Sequence, residues 1–480
     1  MKLAAADFSP KTFGIIHFSG IGGIGMSGIA EILHNLGCSV QGSDLSDNAN
    51  VKRLKALGIK IFIGQEAENI TADISVLVRS SAVKDQNAEV VAARKNNIPV
   101  IARADMLKEI MHLKKCVTIA GTHGKTTTTS MVTQLFETAG LKPTVVNGGI
   151  LNSCNTNAYL GSGEWLVAEA DESDGSFNKL PANVAVVTNI DPEHMEFYGN
   201  FANLRQAFKN FVETVPFYGF AVMCYDHLEV RNLISEITDR KILSYGLREE
   251  AQVTAHNLRI IDQGVQFDVT VKIPGKEQEI KDVLLPMFGK HNVLNALAAL
   301  TIAVEFNIDT ARIKQAFAEF LGVKRRLTIT GQYTPKNITI IDDYGHHPTE
   351  IKASLKAVKE MQEVQSGGRV IAVVQPHRYS RVYDLFNEFS HAFTDADLAY
   401  VTEIYAAGEQ PITGIDRDAL VTAINENKVP AYGVQNLNNL AAELYEQLQE
   451  NDIVICLGAG DITKAANDLP QALIELNNAA

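Results

Sequence analysis

The sequence predicts an α/β protein with three domains: a Rossmann-like N-terminal domain, a central P-loop-type ATPase domain and a C-terminal Rossmann-like α/β domain. Three observations lead to this prediction. Short apolar runs alternate with segments of helical spacing along most of the 480 residues, as in parallel α/β sheets. Two glycine-rich turns each follow a predicted strand and precede a predicted helix. A further series of strands and helices follows the segment "FLGVKRR". We therefore predict domains at 1–114, 115–323 and 324–480.

The first predicted domain begins with a strand, a glycine turn and a helix. The strand is "GIIHF", the turn is "SGIGGIG", and the helix "MSGIAEILHNLG" ends at Gly37. Strand "SVQGSD", helix "NVKRLKALG" and strands "KIFIG" and "ISVLVRSS" follow. This alternation predicts a parallel sheet that closes near "IPVIARADMLKEIMHLKK".

The other two domains show the same alternation. The central one begins with strand "CVTIA", a glycine loop and helix "TSMVTQLFETAG", and continues through strands "WLVAEA", "VAVVTNI" and "VQFDVTVKI" to helix "NVLNALAALTIAVEF". The third begins with strand "ITIIDDY" and helix "PTEIKASLKAVKEM" and adds strands "RVIAVV", "LAYVTEIY" and "DIVICLGAG". We expect joints this short to suit domains that close over a shared cleft.

Composition narrows the classes of protein and partner. Hydrophobic residues make up 46% and charged residues 21%, an ordinary soluble mixture. No apolar run approaches the ~20 residues of a membrane helix, and the first residues lack a secretory signal. We therefore expect a cytoplasmic protein without membrane insertion. The net charge of −13 argues against a nucleic-acid surface. The five cysteines, without a C-x-x-C pair, predict neither a zinc site nor a disulfide framework.

The first glycine loop predicts a diphosphate site. Residues Gly20 to Gly25 satisfy G-x-G-x-x-G, with a strand before them, a helix after them and Asp44 at the end of the next strand. Such glycines let the backbone approach a pyrophosphate at a helix N-terminus, and Asp44 would take a ribose hydroxyl. A lone motif could be only a tight turn, but this context favours a diphosphate ligand. NAD and a UDP-sugar present the same two phosphates, so the motif alone leaves the ligand open.

The second loop, "AGTHGKTTTTS", is a phosphate loop two residues shorter than the usual G-x-x-x-x-G-K-[ST]. Ile119 stands where the first glycine of the longer pattern would be, and the glycine is at Gly121. A shorter turn can still aim its N–H groups at phosphate. Lys125 can then reach a γ-phosphate, and Thr126 can place its hydroxyl on Mg²⁺.

Acidic and imidazole side chains follow two predicted strands of the central domain. Glu169 ends "WLVAEA" and precedes "DESD", while Asp191 and His194 follow "VAVVTNI". Ends of parallel strands converge on one edge of a sheet, where ligands bind. Each residue alone is more often a solvated loop residue, but their joint placement predicts that Glu169 and His194 bind one or two cations.

With the short loop, "EADESD", "TNIDPEH", "GKHNVLNALAA", "KRR" and "DDYGHHPTE" in this order, the chain resembles the Mur ligase family over essentially its whole length. In that family "GTHGKTTT" is the ordinary ATP-binding loop. The resemblance implies an ATP-dependent ligase of peptidoglycan precursor synthesis. "HFSGIGGIGMSGIAE" and "QPHRYSR" resemble most the branch that adds L-alanine to UDP-N-acetylmuramate. The alternative is the recycling branch, which attaches a tripeptide to the same nucleotide sugar.

The resemblance also implies roles for individual residues of the first two domains. The N-terminal loop would hold the diphosphate of UDP-N-acetylmuramate, not NAD. Its binding residues would be Gly20, Ile21, Gly22, Gly23, Ser43 and Asp44. ATP would be bound by Gly121, Thr122, His123, Gly124, Lys125, Thr126, Thr127, Asn292 and Asn295, together with Arg326 and Asp343 from across the domain joint. Thr126 and Glu169 would bind a first Mg²⁺ (or Mn²⁺) and His194 a second.

In the third domain the resemblance implies that Tyr344, His346, Arg378 and Arg381 face the incoming amino acid. The catalytic set would be Lys125, Glu169, His194, Arg326, Asp343 and His346, with His346 as a candidate base for the amine. One departure concerns the carbamylated lysine of several sister ligases. That position holds Phe208, with Lys209 beside it, and we predict no modified lysine.

The expected partners are the small molecules UDP-N-acetylmuramate, ATP and L-alanine, and we expect a monomer or weak dimer. Two other classes of protein fit less of the sequence. A nicotinamide-dependent oxidoreductase would leave "GTHGKTTT" and "DPEH" unexplained. A non-catalytic nucleotide-binding protein would not need both the metal ligands and the third-domain residues.

Overall fold

The computed structural model describes residues 14–154, 156–173, 175–365 and 367–479. These residues form two compact units. One contains the chain up to Thr254 with Thr270–Glu279 and Asn295–Ala316, and the other contains Ala255–Val269, Ile280–Leu294 and the chain from Phe317 onward. No helix among the described residues is long and apolar enough to cross a membrane.

The first sheet, in the first unit, carries the first glycine loop at its carboxyl edge. Its strands are β1 (Ile15–Ser19), β2 (Val40–Asp44), β3 (Lys60–Ile63), β4 (Ile74–Arg79) and β5 (Val100–Ala102), and its helices are α1 (Ile24–Asn35), α2 (Ala49–Ala56), α3 (Ala88–Lys95) and α4 (Arg103–Met111). The strands are all parallel, in the order β3-β2-β1-β4-β5. This order places β1 in the centre of the sheet. The glycine loop that follows β1 therefore lies between the carboxyl ends of β2 and β4.

The second sheet of the same unit is built around the strand that leads into the short phosphate loop. Its strands are β6 (Lys115–Ala120), β7 (Thr144–Leu151), β8 (Thr156–Tyr159), β9 (Trp165–Glu169), β10 (Val184–Val187), β11 (Phe220–Cys224) and β12 (Ile242–Gly246), and its helices are α5 (Lys125–Thr138), α6 (Met195–Tyr198), α7 (Phe201–Glu213) and α8 (Leu228–Glu236). The order is β12-β11-β10-β6-β9-β7-β8, with only β8 antiparallel to its neighbour. Strand β6 therefore has β9 and β10 as neighbours, and all three end at the same edge.

Three strands and two helices follow in the chain, and their residues are divided between the two units. The strands are β13 (Val253–Ile261), β14 (Gly264–Val271) and β15 (Gln278–Leu285), adjacent in that order, and the helices are α9 (Lys290–Glu305) and α10 (Thr310–Ala318). The start of β13 pairs in parallel with β12 through Tyr245 and Val253.

The third sheet lies in the second unit. Its strands are β16 (Thr328–Tyr333), β17 (Ile338–Asp343), β18 (Val370–Val374), β19 (Leu398–Val401), β20 (Ala431–Gly433) and β21 (Ile453–Leu457), and its helices are α11 (Pro348–Gln365), α12 (Tyr379–Asp384), α13 (Phe386–Ser390), α14 (Arg417–Glu426), α15 (Leu440–Tyr445) and α16 (Ile462–Ala479). The order is β16-β17-β21-β18-β19-β20, antiparallel only at β16.

Both faces of this third sheet are covered. Along β18, Val370, Ala372 and Val374 join the core that contains α11 and α14, while Ile371 and Val373 join the core that contains α16. A strand buried on both faces has no polar face, which explains the continuous apolar run "VIAVV". The α/β fold with parallel sheets is confirmed, and the domain boundaries stay a prediction.

Candidate active site

The first glycine loop is held down by the end of β2. The backbone N–H groups of Gly20 and Ile21 both donate to the Ser43 carbonyl at 2.9 Å, and that of Gly22 donates to Asp44 Oδ2 at 2.8 Å. Gly20 has a φ of +81°, which favours glycine. The first-turn amides of a helix have no intrahelical acceptor. The start of α1, at Ile24, is therefore the part of this loop that can offer N–H groups to an anion.

A buried polar network lies beneath the same loop. The hydroxyls of Ser19 and Ser43 donate to Glu89 Oε2 at 2.6 and 2.7 Å, and His17 Nε2 lies 3.3 Å from Glu89 Oε1. The pKa of Glu89 is lowered, because these contacts outweigh the effect of its burial. Two of the predicted ligand residues therefore bind other parts of the protein. The Ser43 hydroxyl is buried and donates to Glu89, and the Asp44 carboxylate accepts from the Gly22 N–H of the loop. Their role in ligand binding stays a prediction.

A cavity of about 410 Å³ lies near this loop, although no residue of the loop lines it. It is lined by the end of β4 and the start of α4, including Arg79, Lys84 and Arg103. The Arg103 guanidinium is close to Gly25, since a Cβ added there would lie 3.0 Å from its Nη1. The sequence analysis missed these three cations. Their positions in the chain could have identified them, because they lie at or just after the ends of β4 and β5, which end at the same edge of the sheet as β1.

The short phosphate loop is a tight turn between β6 and α5. Gly121 and Gly124 have φ values of +137° and +82°. A Cβ on Gly121 would lie 2.0 Å from Thr188 Oγ1, and one on Gly124 would lie 2.4 Å from Asn295 Oδ1. Both glycines are therefore needed for their conformation and for close packing. Helix α5 begins directly at Lys125, so its N-terminus faces the loop.

Residues after β10 support this loop from one side. Asn189 accepts from the His123 N–H at 2.7 Å and donates to the His123 carbonyl at 3.0 Å. Asp191 lies between two imidazoles, 3.3 Å from His123 Nε2 and 3.3 Å from His227 Nε2. Hydrogen bonds from both histidines lower the pKa of Asp191 despite its partial burial. These contacts fix the loop backbone to the end of β10.

The structure brings Thr126 and Glu169 together, as predicted for a cation site. Thr126 Oγ1 donates to Glu169 Oε2 at 2.8 Å, and the Gly148 N–H donates to the same oxygen at 2.9 Å. A hydroxyl and a carboxylate at this distance are oxygen ligands of the kind that Mg²⁺ prefers. Their role as metal ligands remains a prediction.

His194 belongs to a second group. Ligand atoms of Glu172, Glu193 and His194 all lie within 4.8 Å of one another, close enough to hold a metal ion. His194 has a φ of +58°, a left-handed conformation that is uncommon for a non-glycine residue and often marks a functional site. The sequence analysis named His194 but missed Glu172 and Glu193, which lie in "DESD" and "DPEH". The two carboxylates suit Mg²⁺ or Mn²⁺, whereas an imidazole is a more usual ligand of transition metals.

Lys125 connects the phosphate loop with this second group. Its Nζ donates to the carbonyls of Gly121 and Thr122 at 2.6 and 3.0 Å and to Glu172 at 2.9 Å. The Lys125 side chain is 14% exposed and that of Glu172 2%. Burial opposes the charge on Lys125, but the nearby carboxylates outweigh it and raise its pKa. Burial raises the pKa of Glu172, against the effect of Lys125. These contacts hold the Lys125 ammonium at the start of α5.

The other residues predicted to bind ATP in these segments are buried. Thr127 lies in the first turn of α5, and Asn295 on α9 accepts from Thr128 Oγ1 at 3.2 Å. Asn292, which belongs to the second unit, donates from Nδ2 to the Phe288 carbonyl at 2.8 Å. Phe208, which the sequence analysis expects at the position of the carbamylated lysine, packs on Phe177 with 5.1 Å between ring centroids. Lys209 Nζ lies 4.0 Å from Glu236.

In the second unit, Asp343 at the end of β17 organises the segment that contains Arg326. Its carboxylate accepts from the N–H groups of Leu327 and Gly345, each at 2.8 Å, and from Ser354 Oγ at 3.0 Å. The Arg326 guanidinium lies 5.3 Å from the centroid of the Tyr344 ring. Asp343 is buried, so the structure gives it a positioning role; its contact with a nucleotide stays a prediction.

Four rings of this unit contact one another in a row. Tyr344 and His346 have centroids 5.2 Å apart, His346 and His377 5.6 Å, and the stacked pair His377 and Tyr405 5.4 Å. His346 Nδ1 lies 3.1 Å from the Tyr344 carbonyl and 3.4 Å from Glu350. Since both partners are acceptors, we infer that Nδ1 carries the hydrogen and that Nε2 is the nitrogen that can accept a proton. The sequence analysis missed His377 and Tyr405.

The two predicted arginines border this row. Arg378 has a φ of +69° and donates its N–H to the Tyr405 carbonyl at 2.9 Å, so a strained backbone is held in place by β19 and its loop. Arg381 Nη1 donates to the His377 carbonyl at 3.3 Å. Burial, together with His346 and Arg381, lowers the pKa of His377 to about 4. His377 is therefore neutral at pH 7, and the positive charge here belongs to the arginines.

Three family models match successive parts of the chain. The "Mur ligase family, catalytic domain" matches residues 15–115, the "Mur ligase middle domain" residues 119–303, and the "Mur ligase, glutamate ligase domain" residues 325–460. Together they include both glycine loops, the candidate metal ligands and the ring row of the second unit.

Individual proteins are similar over nearly the whole chain. The UDP-N-acetylmuramate–L-alanine ligase of Rhodospirillum rubrum is 54% identical over 467 residues, 97% of this chain and 96% of that one. The crystal structure of UDP-N-acetylmuramate-alanine ligase from Thermotoga maritima has a TM-score of 0.79 at 30% identity and covers 97% of this chain and 99% of that one. A murein peptide ligase from Psychrobacter arcticus, at 21% identity and a TM-score of 0.69 over 96% and 98% of the chains, shares the fold.

Proposed function

This chain belongs to the Mur ligase family, and we propose that it joins L-alanine to the carboxylate of UDP-N-acetylmuramate at the cost of ATP. The products are ADP, phosphate and UDP-N-acetylmuramoyl-L-alanine. The observation that carries the proposal is the pairing of Lys125 with Glu172 beside Thr126 and Glu169, where a phosphate loop meets candidate cation ligands. The choice of L-alanine rests on 54% identity to an alanine-adding relative over 97% of the chain.

ATP binds with its β- and γ-phosphates at the start of α5. The loop amides and the N-terminus of the helix favour the anion, and Lys125 adds a full charge. Thr126 and Glu169 would hold one Mg²⁺, and Glu172, Glu193 and His194 a second. When bound, these cations neutralise charge on the phosphates during transfer. Phosphoryl transfer depends mainly on such positioning and charge neutralisation, so this chain needs no protein nucleophile.

The cavity beside the first glycine loop takes the UDP part of the sugar nucleotide. Arg79, Lys84 and Arg103 supply positive charge, and the start of α1 supplies N–H groups for the diphosphate. A nicotinamide nucleotide has no comparable role in a chain that also carries the phosphate loop and cation ligands. The muramate carboxylate attacks the γ-phosphorus of ATP, ADP leaves, and an acyl phosphate forms.

The amino acid binds in the second unit, near the ring row of Tyr344, His346, His377 and Tyr405. Arg378 and Arg381 would pair with its carboxylate, because a guanidinium matches a carboxylate in geometry and charge. The amine must lose a proton before it attacks the acyl carbon, and His346 Nε2 is the basic nitrogen of that ring. The attack gives a tetrahedral intermediate, and phosphate leaves as the amide forms.

Phosphate release in the presence of ATP, Mg²⁺ and UDP-N-acetylmuramate tests the proposal. We expect release when L-alanine is added and much less with L-Ala-γ-D-Glu-meso-diaminopimelate. Release with the tripeptide and not with alanine would instead identify the recycling ligase. Release that needs neither amine nor UDP-sugar would contradict ligase activity altogether.

A further inference from the structure

A series of hydrogen bonds connects the two helix N-termini proposed to bind the two nucleotides, and its central members Ser130, Asn147 and Asn157 are buried. Helix α1 follows the first glycine loop and helix α5 follows the phosphate loop, and both belong to the first unit. Strands β7 and β8 contribute the groups between them.

The series begins at the candidate cation ligand Glu169, which accepts from Thr126 and from the Gly148 N–H. The neighbouring Asn147 donates from Nδ2 to Ser130 Oγ at 2.8 Å, and Ser130 donates to the Thr126 carbonyl at 2.7 Å. Strand β7 is thereby bonded twice to the first turns of α5, once through Glu169 and once through Ser130.

Asn157 on β8 completes the connection. Its Nδ2 donates to the Ile24 carbonyl in the first turn of α1 at 2.8 Å and to the Asn147 carbonyl at 3.4 Å. The side chain is 1% exposed. A primary amide has two N–H donors and can bridge two carbonyl oxygens, whereas a carboxylate of the same shape has none. The position therefore has a specific chemical requirement.

Close packing makes this connection stiff. A Cβ added to Gly28 of α1 would lie 2.5 Å from the Ala158 Cβ, so the helix lies directly on β8. Arg53 of α2 forms an ion pair with Glu31 and donates to Thr156 Oγ1 at 3.3 Å, beside the same contact. A displacement of α1 must therefore displace β8, because interiors packed at this density do not deform freely.

We propose that Asn157 is a positioning residue that couples binding of the UDP-sugar at α1 to binding of ATP and its cation at α5. This inference rests on the proposed function. Energetic coupling between two sites passes through contiguous packed and hydrogen-bonded groups that both ligands affect. A purely structural asparagine would lower stability or weaken both ligands without changing the influence of one ligand on the other.

The test measures the dissociation constant of UDP-N-acetylmuramate by calorimetry, with and without a saturating non-hydrolysable ATP analogue and Mg²⁺. The ratio of the two constants is the coupling factor, and such factors are typically about 5–150. For Asn157→Asp we expect the ratio to move at least threefold toward 1. Asn157→Ser keeps one donor and should fall between the wild type and Asn157→Asp, which provides a milder variant if the aspartate folds poorly.

The matched control is Asn183→Asp, which introduces the same charge into the same unit. Asn183 accepts from the Cys116 N–H at 2.7 Å, a bond that an aspartate keeps, and it takes no part in the series from Glu169 to Ile24. Its coupling factor should equal that of the wild type. Two results would overturn this inference while leaving the proposed function intact. One is a coupling factor that stays at the wild-type value in both Asn157 variants. The other is a wild-type protein that binds both ligands with a coupling factor of 1. A wild-type protein that binds neither ligand would overturn the proposed function with it.

Discussion

Glu172 belongs both to the Lys125 pair and to the proposed cation site, which makes Glu172→Gln the most informative single change. Its carboxylate pairs with Lys125 Nζ at 2.8 Å and also belongs to the group with Glu193 and His194. Glutamine keeps the shape of the side chain and removes the charge. We therefore expect two separable effects, a loss of stability from the ion pair and a higher cation requirement for activity.

General magnitudes, applied to these contacts, give the expected size of each effect. Removing one partner of a buried ion pair costs about 3–5 kcal/mol. In Glu172→Gln the Lys125 ammonium still donates to the carbonyls of Gly121 and Thr122. We therefore expect the free energy of unfolding to fall by about 3 kcal/mol, the lower end of this range. Two unit charges 4 Å apart at an effective dielectric of 20 interact by ~4 kcal/mol, part of which desolvation offsets. Because tenfold in affinity is about 1.4 kcal/mol, the Mg²⁺ concentration for half-maximal activity should rise at least tenfold.

Urea unfolding and a Mg²⁺ titration of phosphate release measure the two effects. Glu193→Gln is the control, since it removes the same charge from the cation ligands. It should raise the Mg²⁺ requirement similarly and cost less stability than Glu172→Gln. Wild-type stability of Glu172→Gln would show that the Lys125 pair is not stabilising, and an unchanged Mg²⁺ requirement would remove Glu172 from the cation site.

Three further predictions concern other parts of the chain. Gly124→Ala should raise the KM for ATP at least tenfold, because the new Cβ would lie 2.4 Å from Asn295 Oδ1. Gly140→Ala is the control: Gly140 also has a positive φ, +78°, but a Cβ added there would meet no atom within 4 Å. Its KM for ATP should not change. Arg378→Ala should raise the KM for alanine about 10- to 100-fold, because it removes a charge-assisted hydrogen bond of roughly 1.5–3 kcal/mol. The KM values for ATP and for the UDP-sugar should change little. An unchanged KM for alanine would place the carboxylate pocket elsewhere. Burial lowers the pKa of His291 from 6.5 to about 4. Between pH 6.5 and pH 4 the unfolded chain therefore binds more protons than the folded chain. The free energy of unfolding should fall as the pH drops through this range, by up to about 3 kcal/mol. His291→Asn should make urea midpoints less dependent on pH in that range, and an equally steep dependence would contradict this.

The sequence predicted the parts of the fold that depend on local pattern. Apolar runs that end in glycine turns gave β1 and β6 with the helices that follow, because a strand buried on both faces and a glycine-led helix start both leave a strong local pattern. Strands such as β7 and β8 were not predicted. "TVVNGGIL" and "TNAY" contain glycine or are too short for a period-2 pattern, and their pairing is decided by neighbours distant in sequence.

The same limit applied to the site. Lys125 was identified because the phosphate-loop motif names it, and Glu169 because it ends a predicted strand of the same sheet. Glu172 was passed over although it is only three residues from Glu169, since "DESD" alone does not show which carboxylate turns toward Lys125. His377 and Tyr405 lie on different loops, and only the pairing of β18 with β19 brings their rings together.

A chain with a net charge of −13 is proposed to bind anionic substrates, so the local charge at the proposed sites has to differ from the net charge. Three cations at the proposed sites have carboxylate partners: Arg79 with Asp85 at 2.9 Å, Arg103 with Asp171 at 3.6 Å and Lys125 with Glu172. Each partner orients its cation and lowers the repulsion among like charges, at the cost of competing with the substrate anion. Helix N-termini add attraction without a charged side chain. We therefore expect substrate affinity to depend on these local differences and the net charge of the protein to be a poor guide to it.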